Sequence, residues 1–124
     1  MIKASTDTLS TQELVAQFES LALRQHQASF EDDTPTFNKI YARMTKIVNE
    51  LRSRPGDQRR VLVPLLAHAN AWVRYKAAVN TLVVAPGEAR VVLEQLALKS
   101  NNEFATAYAR GTVQALDKGT FPLK

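Results

Sequence analysis

From Leu14 to Leu116 the apolar residues recur every three or four positions, and no stretch alternates apolar with polar over the length of a strand. That spacing lines one face of an α-helix, whereas a half-buried strand needs a period of two. The β-branched pairs Ile47-Val48, Val83-Val84 and Val91-Val92 all lie outside any alternating run,. The chain is therefore predicted to be all-α, with about six helices.

Start and stop signals divide the helices. Ser10 with Glu13 three residues on is a capping box, flanked by Leu9 and Leu14 as a hydrophobic staple, and opens a helix over about residues 11–28,. Thr34 as N-cap and Pro35 at the first helical position open the next, over about 35–53, with Phe37, Ile40, Tyr41, Met44, Val48 and Leu51 as its core stripe,. It ends at Arg54-Pro55-Gly56, because the residue before a proline resists the α region,. Asp57 caps a third segment with Val61, Leu62, Leu65 and Leu66 on one face, and Pro64 inside it is expected to bend the axis,. Asn70 caps a fourth carrying Val73, Ala77, Ala78 and Leu82. Pro86 opens a fifth, with Val92, Leu93, Leu96 and Ala97 on one side. Asn101 or Asn102 caps the last, with Phe104, Tyr108, Val113 and Leu116, and Gly119 ends it before Pro122,.

Sliding the chain by 31 residues aligns Val61, Leu62 and Leu65 with Val92, Leu93 and Leu96, and Asn70 with Asn101. Apolar meets apolar and cap meets cap, the pattern of helical hairpins that bury their faces on neighbours. The residues Leu62-Val63-Pro64-Leu65-Leu66 and Asn70-Ala71-Trp72-Val73-Arg74-Tyr75-Lys76-Ala77-Ala78 resemble a HEAT repeat. The second unit departs from it: Ala105 stands where Arg74 stands, and Gly111 interrupts the helix. The run Arg54-Pro55-Gly56-Asp57-Gln58-Arg59-Arg60 with the following hairpin is similar to an uncharacterised family of small bacterial domains of unknown function, grouped with HEAT/armadillo-like folds. The resemblance implies a short right-handed HEAT-like (armadillo-type) array of helical hairpins and a scaffold or binding surface. On this reading residues 1–124 are a single domain. Residues 1–8 are a flexible N-terminus, 9–54 a helix pair, 57–84 a first hairpin and 86–118 a second.

The 124 residues suffice for one modest core,. There is no cysteine, which excludes disulfides and thiolate chemistry,. No apolar run approaches the roughly 18 residues of a membrane span. The first eight residues hold one Lys and no apolar core, so a secretory leader is not expected and a cytoplasmic location is,. His26 and His68 are 42 residues apart with no carboxylate at ligand spacing, so no metal is expected,. Glu31-Asp32-Asp33 at a helix entry is explained by the helix dipole,. The sequence holds no phosphate loop, nucleophile elbow or triad, so neither catalysis nor a cofactor is expected.

The net charge is +4, from sixteen Lys+Arg and twelve Asp+Glu. Four arginines, Arg52, Arg54, Arg59 and Arg60, fall in nine residues with one acid, Asp57. Converging guanidiniums would grip phosphates or an acidic partner. Used structurally, Arg52 and Arg54 would instead complement a helix C-terminus. Arg74 is expected to bind carbonyls or acids of neighbouring helices. Lys76, two residues on, is expected to be free for a partner. Trp72 either packs under the preceding hairpin or anchors an interface. The expected function is a non-enzymatic protein-binding module or adaptor, with nucleic-acid binding through the arginines, Arg74 and Lys76 as the alternative. A homo-oligomer burying the open end of the array is compatible with the sequence.

Overall fold

The computed structural model describes residues 5–124, and among these every regular element is helical. A 3-10 turn, Thr6–Thr8, is followed by α1 (Thr11–Phe30), α2 (Thr34–Ser53), a 3-10 helix (Gln58–Ala67), α3 (Ala71–Val79), α4 (Pro86–Leu98) and α5 (Glu103–Asp117). Apart from the short turn, these are the six expected helices. Of the N-terminal stretch expected to be flexible, residues 1–4 lie outside the described residues, and Thr6–Thr8 is an ordered turn. The chain forms two compact units, Met1–Val61 and Leu62–Lys124, whose boundary falls within the 3-10 helix.

In the first unit α1 packs on α2 as an antiparallel pair. The capping box forms: the Ser10 side chain accepts from Glu13 N at 3.0 Å, and Glu13 Oε1 accepts from Ser10 N at 2.9 Å. Those bonds hold the Glu13 carboxyl below its ordinary value. One face of α1 buries Leu14, Phe18, Leu21, Gln25 and Ala28. The buried Gln25 reaches across to the Phe37 carbonyl at 3.4 Å. The turn between the helices reuses its atoms. Asp33 N donates to Ala28 O at 3.0 Å and Asp32 N to Ser29 O at 3.4 Å, closing α1 in a Schellman motif around Asp32, whose φ is 52°,. Asp33 then caps α2, its carboxylate accepting from Thr36 N at 3.2 Å. The cap is thus Asp33 rather than Thr34, and Pro35 stands at the second helical position. The residue whose backbone N–H closes α1 thus also caps α2 with its side chain, one residue earlier than Thr34 would.

The buried row of α2 is Ile40, Met44, Ile47 and Leu51. Tyr41, expected in that row, is 55% exposed. The apolar stripe read from the sequence is wider than the face its neighbours cover, and Tyr41 lies on the uncovered edge.

The segment containing Pro64 is a ten-residue 3-10 helix, not a bent α-helix. Runs this long are unusual, since bond geometry is poorer than in an α-helix. Its buried residues, Arg59, Leu62 and Leu65, fall every third position, as a helix with three residues per turn requires,. Pro64, lacking an N–H, is exposed,.

In the second unit α3, α4 and α5 pack against one another. Asn70 caps α3, its Oδ1 accepting from Trp72 N at 2.9 Å and Val73 N at 3.1 Å. Asn102 caps α5 in the same way, from Phe104 N at 3.0 Å and Ala105 N at 3.2 Å. Each cap's own N–H is held by the residue two before it: His68 Nδ1 at 2.9 Å for Asn70, Ser100 Oγ at 3.0 Å for Asn102. The matching turns therefore lie 32 residues apart, and Asn70 corresponds to Asn102 rather than Asn101. The buried Leu62 and Leu65 keep the 31-residue offset to Leu93 and Leu96, so the second turn carries one extra residue. Gly111 does not interrupt α5, which runs through it. Gly119, with φ 70°, ends α5 in a second Schellman motif: its N–H reaches Leu116 O at 3.1 Å, and Thr120 N reaches Ala115 O at 2.9 Å,.

Candidate functional site

Two of the four arginines are engaged inside the fold. Arg54, the C-cap residue of α2, folds back over the N-terminal stretch. Its guanidinium pairs with Glu50 at 2.8 Å and donates to Leu9 O at 2.6 Å, Thr6 O at 3.3 Å and Thr11 Oγ1 at 3.2 Å. Thr11 in turn donates to Gln58 Oε1 at 2.6 Å. Arg54 thus holds the Thr6 and Leu9 carbonyls of the N-terminal turn, and it ties the start of α1 to the end of α2. Arg59 is buried and grips Asp57 with Nε at 2.8 Å and Nη2 at 2.6 Å. The same pair lowers the Asp57 carboxyl below its ordinary value and raises Arg59. Asp57 also sits at φ 51° and accepts from Arg59 N at 3.3 Å, closing the turn after Gly56. Only Arg52 and Arg60 of the four are exposed. Density in sequence did not become free charge, because two of the four pair with local carboxylates.

Arg74 serves the fold, as expected, but through nearer partners: it donates to His68 O at 2.8 Å and Ala69 O at 3.1 Å in the turn before its own helix. Trp72 is 1% exposed and is no surface anchor. It lies at the centre of an aromatic cluster with ring centroids at 5.0 Å to Tyr75, 5.0 Å to Phe104 and 5.1 Å to Tyr108. Tyr75 OH shares a hydrogen bond of 2.9 Å with Thr112 Oγ1, so the cluster carries its polar tip into the core satisfied,. Lys76, expected to be free for a partner, is 7% exposed, and burial pushes its pKa down to about 8. The reason is that α3 is buried nearly all round, from Ala71 to Ala78 except Arg74. A helix enclosed on most sides has no reserved polar face, and spacing from Arg74 says nothing about exposure.

The structure displays two surface features on the first unit that the charge count overlooked. On α2, Lys39, Arg43 and Lys46 recur at intervals of four and three, which puts them on one helix face,. All three are exposed, and among the described residues none has an ion pair or side-chain hydrogen bond. On α1, Leu23 and Phe30 lie seven residues apart on the face opposite the buried row,. Phe30 is 75% exposed, with the His26 ring 5.0 Å away. The sequence signal for the α2 row is the helical spacing of its charges, which are spread over eight residues and not clustered.

Among the described residues no group of three or more His, Cys, Asp and Glu is placed to hold a metal ion, and no helix is long and apolar enough to cross a membrane. What the described elements define is an all-helical fold. The family model described as a domain of unknown function (DUF2019) matches residues 12–117, and the chain belongs to that family. It is also similar to the crystal structure of the protein RPA1889 from Rhodopseudomonas palustris CGA009, with 36% identity and a TM-score of 0.90, covering 98% of this chain and 100% of that one. No curated protein matches the sequence.

Proposed function

We propose that this domain is a non-enzymatic protein-binding module, and that the first unit carries its contact surface. The observation that carries the reading is how the surface is spent. Arg54 and Arg59 are consumed inside the fold, while Leu23 and Phe30 on α1 present apolar area to solvent. Large aromatic side chains left exposed are favoured anchors of protein interfaces. The HEAT-like resemblance of the hairpin segments points the same way, since such repeats serve mostly as binding surfaces. The rival reading, nucleic-acid binding through the arginine segment, is left with only Arg52 and Arg60 from the original four, and each phosphate contact needs its own free cation,.

Affinity capture from the source cells tests this with three baits: the unaltered chain, a Leu23→Asp/Phe30→Asp variant, and an Arg52→Ala/Arg60→Ala variant. The expected result is one protein retained by the first and third baits and lost from the second. Nucleic acid retained by the first bait and lost from the third overturns the reading in favour of its rival.

A further inference from the structure

The cation row on α2 makes no ion pair or side-chain hydrogen bond among the described residues, and its geometry defines what would complement it. At a rise of about 1.5 Å per residue, Lys39, Arg43 and Lys46 lie at intervals of about 6 and 4.5 Å, in a row about 10 Å long. An acidic helix repeating carboxylates at four and three residues has the same intervals, because the same rise sets them. The row is also bounded. Glu31, Asp32 and Asp33 stand just before the N-terminus of α2, and Lys39 is close enough to help hold the Asp33 carboxyl down after the Thr36 hydrogen bonds. At the far end Glu50, on the same face, is already paired with Arg54. A continuous phosphate backbone running along the row would meet carboxylates at both ends. A segment with about two turns of acidic helix would not.

We infer that Lys39, Arg43 and Lys46 form a docking row for an acidic α-helix of a partner protein, its carboxylates at i, i+4 and i+7 meeting the three cations. This rests on the protein-binding reading above and names the partner's chemistry. A second copy of this chain is a poor occupant: none of its described helices repeats acids at that spacing.

The test uses the full chain and two fluorescent, helix-stabilised peptides of identical composition, one with three glutamates at i, i+4 and i+7, the other with them spread around the helix. Three exposed ion pairs are expected to make the in-register peptide bind about 10-fold tighter than the scattered one at low salt. A Lys39→Glu/Arg43→Glu/Lys46→Glu variant should abolish that difference, and the milder Lys39→Gln/Lys46→Gln variant should reduce it, both with unchanged helical circular dichroism. Equal binding of the two peptides, no binding of either, or a difference that survives charge reversal overturns the inference. So does tighter binding of a short single-stranded or duplex DNA through the same residues. If the peptides fail while capture still depends on Leu23 and Phe30, the docking row is wrong and the protein-binding reading stands.

Discussion

Lys76 offers a direct measurement of what burial costs in this core. The residue is 7% exposed, and desolvation lowers its pKa from 10.5 to about 8. A folded-state pKa below the unfolded one means that the unfolded chain binds more protons between the two values, so stability rises with pH there. The penalty on the charged form is present in full below about pH 7 and is relieved as the folded protein loses the proton. Over the whole shift of roughly 2.5 pH units the relief is about 3 kcal/mol, and between about pH 7 and about pH 9.5 it is about 2 kcal/mol. Lys76→Met keeps the unbranched apolar stem and removes the titration. Urea unfolding of both proteins across that range isolates the effect, because every other titrating group is common to both. The stability of the natural chain should gain about 2 kcal/mol on that of the variant from the lower pH to the higher. Parallel curves, within about 0.5 kcal/mol, would refute the reasoning and show that Lys76 ionises as freely as in the unfolded chain.

Three further substitutions probe the helices. Asn70→Ala removes both hydrogen bonds to the start of α3 and should cost about 0.5–2 kcal/mol in urea unfolding; an unchanged midpoint would show that water replaces the cap,. Ala77 is fully buried, so Ala77→Leu should overpack the core at a cost of about 1–3 kcal/mol, and a melting temperature at or above that of the natural chain would contradict it,. Gly111 lies inside α5 with nothing within 4 Å of the position a Cβ would take. Gly111→Ala should therefore stabilise the fold by about 0.5–1 kcal/mol in thermal unfolding, and destabilisation would mean that the glycine has a packing role.

The helices are legible in the amino-acid sequence because their signals are local. The Ser10–Glu13 box, Pro86 at a first turn, Asn70 as a cap and Gly119 as a terminator each act within a few residues of themselves, so spacing alone reveals them. The same holds for the choice of α over β, which depends only on period. Which side of a helix meets solvent is a different matter, since it depends on what surrounds the helix. Lys76 and Arg74 stand two residues apart on α3, yet one is buried and the other reaches turn carbonyls, because α3 is enclosed nearly all round. Tyr41 has the spacing of a core residue and lies on an uncovered edge. Charge behaves likewise: the arginine cluster is conspicuous along the chain, but Arg54 and Arg59 find Glu50, Asp57 and the Leu9 carbonyl within reach. The row of Lys39, Arg43 and Lys46, spread thinly in sequence, becomes a coherent charged face only once α2 has formed and its neighbours have left that face uncovered.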